Sequence, residues 1–254
     1  MVRLKSEKEI ETMKEGGKRH AFILREVAKA ALPGVSTKAL DILARKLIKE
    51  GGDKAAFLNY TPEGVSYPYP AALCVSINDE VVHGIPNKDV LLEEGDIVSL
   101  DLGLVHKGLI TDGAITVPVG KVSKEATKLM NTTREALERA VKVAKVGNTT
   151  GDIGHAVESF VKPLGYGIVK ILSGHGVGYE VHEDPYIPNY GKKGTGEKLV
   201  AGMVIAIEPM LNIGSGEVCV TDDEYTYITD DATLSAHFEH TVAITEDGPV
   251  VLTK

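Results

Sequence analysis

The chain repeats itself. Segment 33–52, PGVSTKALDILARKLIKEGG, lies on segment 146–165, VGNTTGDIGHAVESFVKPLG, at a shift of 113 residues. Gly34 falls on Gly147, Thr37 on Thr150, Leu40 on Ile153, Leu47 on Phe160, Ile48 on Val161 and Gly52 on Gly165. Farther on, His83-x-x-Pro86 matches His182-x-x-Pro185 at a shift of 99. GDIVSLD (95–101) matches GMVIAIE (202–208) and sets Asp101 on Glu208. TDGAITV (111–117) matches EHTVAIT loosely and sets Asp112 on Glu239. Any one match could arise by chance. Their common order, with only loop lengths differing, reads as one structural unit built twice.

Each unit runs helix, helix, strands. Residues 6–31 read as a helix opened by a Ser6/Glu9 capping box, with Ile10, Met13, Gly17, Ala21, Leu24 and Ala28 on one face. Gly16-Gly17 inside it marks a weak point or a close approach of another backbone. A second helix starts near Ser36 and stops at Gly51-Gly52; a third covers 123–145 and a fourth roughly 150–164. Strands are expected over ALCVSIN (72–78), DIVSLDLG and LITDGAITVPVG, the last two joined by a hairpin at Lys107-Gly108. The second set comprises GIVKILSG, MVIAIEP, EVCVT, EYTYIT and FEHTVAIT. No linker divides the repeats. The expectation is an α+β fold: one catalytic domain over residues 1–254, with a pseudo-repeat of about 1–120 and 121–254.

Composition narrows the function. With 254 residues, 43% hydrophobic and 25% charged, the chain can bury a real core. A net charge of −8 argues against a general nucleic-acid surface. Two cysteines, Cys74 and Cys219, form neither a disulfide framework nor a zinc signature, which suits a reducing cytoplasm. The opening MVRLKSEKEIETMKEGG lacks the apolar core of a secretory signal, and no apolar run reaches the length of a membrane span. A free-standing monomer is expected, with no heptad pattern pointing elsewhere.

Four acids stand in or beside apolar strand runs: Asp101, Asp112, Glu208 and Glu239. Carboxylates leaving such strands are costly unless paired. A twofold relation between the repeats brings them to one seam, where four cannot all ionise without cations. His175, in SGHGVGYEVHEDP, has no counterpart in the first repeat. Four carboxylates and one imidazole fit two divalent ions, which lower the pKa of a bridging water and supply a hydroxide nucleophile. Taken singly, each residue has a plainer reading. Asp101 or Asp112 can cap a turn. Glu208 can end a solvated strand, and Glu239 can face solvent from an alternating one. His83 and His182 can be hydrogen-bonded core residues. His20, His106, His155, His237 and His240 lack the repeated pattern and read as structural or exposed. GHGVG has no lysine at the phosphate-loop spacing.

The motifs SINDEVVHGIP, DIVSLDLG with Asp112 eleven residues after Asp101, SGHGVGYEVHEDP, GMVIAIEPM and LSAHFEHTV together resemble the type I methionine aminopeptidases, in their short bacterial form. The likeness runs from the first helix to ITEDGPVVLT. It implies the pita-bread fold, with two pseudo-symmetric halves around a dinuclear metal site. It implies removal of the initiator methionine from nascent proteins when the second residue is small. By the same resemblance Asp101 chelates one ion, His175 and Glu208 the other, and Asp112 and Glu239 bridge. Glu208 also shuttles a proton, His182 contacts the scissile peptide, and His83 holds the substrate or its intermediate. The ions are Co, Mn, Fe or Zn, and a transient ribosome contact is implied. Val82, Gly113, Val181 and Tyr225 depart from residues common in the family. Candidate walls of the methionine pocket are Tyr67, Tyr69, Cys74 and Tyr225, polarisable groups that suit a thioether. GYEVHEDPY is also similar to Xaa-Pro peptidases of the same fold, the alternative function. A binding protein that has lost catalysis is a further alternative, which the intact ligand set disfavours.

Overall fold

The computed structural model describes residues 1–62 and 64–254. Two helical hairpins form where the capping signals place them. Helix α1 spans Glu7–Ala30, and its Ser6 and Glu9 cap each other reciprocally. Helix α2 spans Thr37–Glu50 behind the Ser36 cap. Helix α3, Lys124–Val143, starts at Ser123, and helix α4, Thr150–Val161, starts at a Thr149/Asp152 capping box. The buried faces follow helical spacing: Met13, Gly17, Ala21 and Leu24 on α1, and Leu129, Thr133, Ala136, Leu137 and Ala140 on α3. Gly16-Gly17 is a close approach. A Cβ on Gly17 would lie 2.2 Å from the Leu252 carbonyl oxygen.

Every strand pairing is antiparallel among the described residues. In the first sheet, Ile97–His106 is central between Leu73–Ile77 and the hairpin partner Leu109–Pro118. Alternation divides the central strand. Val98, Leu100, Leu102 and Leu104 enter a core with Leu24, Val27, Leu40 and Ala44 of the first helical hairpin. Asp101 therefore points to the opposite face. A second core packs α3 and α4 (Leu129, Leu137, Ile153, Val157) against Ile205, Ile207, Leu211 and Val242 of later strands.

Of the later stretches expected as strands, GIVKILSG is broken at a corner, while MVIAIEP and FEHTVAIT each stop short there. Gly167–Ile168 pairs with Met210–Asn212, whereas Gly174–Gly176 pairs with Val204–Ile207. Residues 169–173 carry the chain from one sheet to the other. MVIAIEP and its continuation break in the same way between Val204–Ile207 and Met210–Asn212, with Glu208 and Pro209 in the gap. The run containing FEHTVAIT pairs through Ser235–His237 with Met210–Asn212 and through His240–Thr245 with Val204–Ile207, leaving Phe238 and Glu239 between. Strands that change sheets at one place build a corner. Glu208 and Glu239 stand in it.

Candidate metal centre

Register places the first two acids. Asp101 faces Ala114, and Asp112 faces Gly103. They are diagonal neighbours on one face of the hairpin. Cys74 lies opposite Asp101 on the other flanking strand. Glu239 joins them through the backbone: its N–H donates to the Ala114 carbonyl at 2.9 Å, and the Ala114 N–H returns to the Glu239 carbonyl at 3.4 Å. On either side, His237 N–H donates to Thr116 Oγ1 (2.9 Å) and Asp112 N–H donates to Thr241 Oγ1 (2.8 Å). This stitching lays segment 237–241 along strand Leu109–Pro118. Glu208 follows Ile207, which pairs with His240.

His175 completes the cluster from strand Gly174–Gly176. Its Nδ1 lies 2.9 Å from the Gly176 carbonyl. A carbonyl only accepts, so Nδ1 carries the proton and Nε2 keeps its lone pair. That Nε2 is 3.4 Å from Glu208 Oε1. One ligand atom from each of Asp112, His175 and Glu239 lies within 4.8 Å of the others. Asp101 and Glu208 line the same cleft.

The electrostatics are those of a cation site. Burial pushes the Asp101 carboxyl up to about 7. Asp112 is held well above the carboxylate range by burial and then by the charge of Asp101. Glu208 and Glu239 are raised well above it by burial and then by Asp112. Burial lowers His175 to about 3, so it is a neutral donor. Asp101 Oδ1 and Glu239 Oε1 are buried without a hydrogen-bond partner among the described residues. Orphaned acceptors on crowded acids are what a divalent cation satisfies, and hard oxygens with one imidazole suit such an ion.

The plainer readings do not hold for two of these acids. Asp101 is interior to a ten-residue strand and caps no turn. Glu239 is only 3% exposed and faces no solvent. His83 and His182 line the cleft, as do Cys74, Tyr69 and Tyr225. Burial keeps the Cys74 thiol protonated. Tyr67 is not a wall. It packs edge-on behind Tyr225 (centroids 5.2 Å apart) and donates to the Asp223 carbonyl at 2.6 Å. The sequence reading passed over Phe57, Tyr60, Leu172 and Met210, which also line the cleft. It also set aside His237, which is buried with Nε2 at 3.8 Å from Glu208 and 3.9 Å from Glu239. The spacing His237-x-Glu239 in SAHFEHTV was the available signal.

Residues 11–246 match the model of metallopeptidase family M24. The chain belongs to that family. This M24 chain is 47% identical over 257 aligned residues to a methionine aminopeptidase of Aquifex aeolicus, covering 100% of this chain and 99% of the relative. Its fold matches the crystal structure of methionine aminopeptidase from Thermotoga maritima with a TM-score of 0.96 and 45% identity, both chains covered in full. The prolidase of Pyrococcus furiosus matches at a TM-score of 0.79 and 26% identity, over 99% of this chain and 65% of that one. The architecture is the pita-bread fold of M24 enzymes, and membership brings dependence on divalent metal. No helix among the described residues is long and apolar enough to cross a membrane.

Proposed function

We propose that the chain is a methionine aminopeptidase that removes the initiator methionine of nascent polypeptides when the second residue is small. The observation that carries this reading is the five-donor cluster in a cleft also lined by Tyr69, Cys74, Met210 and Tyr225. Asp101, Asp112, His175, Glu208 and Glu239 would hold two divalent ions. When bound, the ions anchor the substrate α-amine, polarise the carbonyl and acidify water. Oxygen donors with one imidazole suit Mn, Fe or Co as well as Zn.

The chain's own groups do the rest. Only an N-terminal residue has a free amine to offer the ions, so on this reading the enzyme is an exopeptidase. Glu208, at the corner between sheets, accepts and returns a proton at its carboxylate. Burial lowers His83 to about 4 and also lowers His182, so both act as neutral hydrogen-bonding groups. His182 contacts the scissile peptide and His83 holds the substrate. The apolar, polarisable walls receive the thioether. The enzyme works in the cytoplasm as one domain and a monomer, meeting its substrates at the ribosome without a nucleic-acid or membrane surface of its own.

Assay of Met-Ala-Ser against Ala-Pro peptides, with Co²⁺, Mn²⁺, Fe²⁺ or Zn²⁺ added, tests the reading. Turnover of the methionine peptide is expected to dominate. Preference for the proline peptide would assign an Xaa-Pro peptidase, and inactivity with every metal would assign a binding protein. Elemental analysis of protein purified without added metal identifies the ion.

A further inference from the structure

Tyr60 reaches His182 from a loop that contributes nothing to the metal cluster. Its backbone is pinned. Tyr60 N–H donates to the Phe57 carbonyl at 2.9 Å, Tyr69 N–H donates to the Tyr60 carbonyl at 2.8 Å, and Asn59 N–H donates to the Tyr69 carbonyl at 2.9 Å. Asn59 turns the chain there at φ 67°. The phenol oxygen comes to 2.9 Å from His182 Nδ1, with ring centroids 5.6 Å apart and planes at 58°.

The far side of His182 is fixed differently. Glu183 organises the preceding turn: Oε1 accepts the N–H of Tyr179 (2.6 Å) and of Glu180 (3.0 Å), while Oε2 accepts from the buried Lys5 ammonium at 2.6 Å. Those bonds set the backbone and leave the imidazole free to choose its tautomer. His175 packs edge-on against that ring at 4.5 Å, a contact that restrains its plane but not its proton. Among the described residues the only hydrogen bond to a ring nitrogen of His182 comes from Tyr60. A phenol O–H is a good donor and a bare imidazole nitrogen a good acceptor.

We propose that Tyr60 is a positioning residue. Its hydroxyl donates to Nδ1 of His182, which places the imidazole proton on Nε2. His182 then meets the substrate as an N–H donor to the carbonyl oxygen of the scissile peptide. The proposal rests on the reading of His182 as a substrate contact. It separates Tyr60 from the other cleft aromatics, which act through shape.

The test removes only the hydroxyl. Protein labelled with ¹⁵N-histidine is prepared metal-free and zinc-loaded, as wild type and as Tyr60→Phe, and His182 is assigned by its loss in His182→Gln. Long-range ¹H–¹⁵N spectra are expected to show wild-type His182 with a bare Nδ1 and a protonated Nε2. Tyr60→Phe is expected to move both nitrogens toward averaged values. On Met-Ala-Ser, Tyr60→Phe is expected to lower kcat about tenfold, the scale of one lost hydrogen bond, with KM within about twofold. In the His182→Gln background the same change is expected to have no effect. A wild-type His182 protonated at Nδ1 overturns the proposal. So does an equal loss of kcat with and without His182, which would make Tyr60 a wall of the pocket. The spectra need no substrate. If proline peptides prove preferred, the methionine reading fails while the tautomer result stands, and the converse also holds.

Discussion

Asp112 is a residue that folding alone would not choose. It is 3% exposed, diagonal to Asp101, and raised well above the usual carboxylate range by burial and by that neighbour. Neutralising it should separate stability from function. Asp112→Asn is expected to leave the thermal midpoint of chelator-treated protein unchanged or raised, because it removes a buried like charge. The same variant should lose more than about 100-fold in turnover, the upper range for losing even an outer partner of a metal ligand. A lower midpoint in chelator with turnover retained would refute the metal-ligand role. His237 carries the next prediction. Among the described residues neither of its ring nitrogens has a hydrogen-bond partner, and Nε2 faces Glu208 and Glu239. His237→Leu is expected to weaken metal binding about 10–100-fold by calorimetry, with His237→Gln retaining most of it. Equal affinities in all three proteins would show that the ring only fills space. Four of the five clustered residues were legible in the sequence because acids beside apolar strand residues conflict with burial and the repeat pairs them; His175, without a counterpart, stood out only through its motif. His237 was not legible, because its partner pattern exists only once Glu208 and Glu239 meet at the corner. Tyr60 was not, because its partner lies 122 residues away.

At the level of elements, helices were read almost to their ends because their signals are local. Ser6, Ser36, Ser123 and Thr149 each accept from a backbone N–H of the first turn. The Gly16-Gly17 pair left two readings open, and packing decides between them. Gly17→Ala should gain up to about 1 kcal/mol in helix propensity. It must also place a Cβ at 2.2 Å from the Leu252 carbonyl, where backbone rather than a flexible side chain must move. A net loss of about 1–3 kcal/mol is expected in urea unfolding, the range for overpacking. A stabilised variant would mean that α1 and the C-terminal strand can separate at little cost. Strands were read less well, for a reason of the same kind. GIVKILSG has continuous strand composition, and nothing local records that its ends pair with different sheets; nor does FEHTVAIT show that Phe238 and Glu239 fall in the gap after Ser235–His237. The breaks are where Leu172, Ser173, Glu208 and Glu239 enter the cleft.

At the scale of the whole molecule, the cluster draws Asp101 and Asp112 from the first sheet, His175 from strand Gly174–Gly176, and Glu208 and Glu239 from the corner where later strands change sheets. Metal-free stability should therefore depend on pH in a way that metal abolishes. Asp101 has a folded-state pKa of about 7 against an ordinary 3.8. The folded chain binds more protons across that window, so this contribution is complete below about pH 4 and lost as pH rises through about 7. Asp112, Glu208 and Glu239 are raised in the same direction and carry the loss higher. Histidines act oppositely. His83 is lowered to about 4, and His175 and His237 to about 3, from 6.5. The unfolded chain binds more protons between about pH 3 and 6.5, so these groups add stability as pH rises there and nothing beyond. Above about pH 7 the histidines no longer contribute, and the four clustered carboxylates dominate the change. The thermal midpoint in chelator is expected to fall from pH 7 to 8.5. With saturating Mn²⁺ the ionised carboxylates are the bound form and binding adds to stability, so the midpoint should hold and the gap between the curves widen with pH. Thermal scans in both conditions at a series of pH values measure this. A chelator midpoint that rises over the range, or a gap independent of pH, would show that the cluster is not held together by cations.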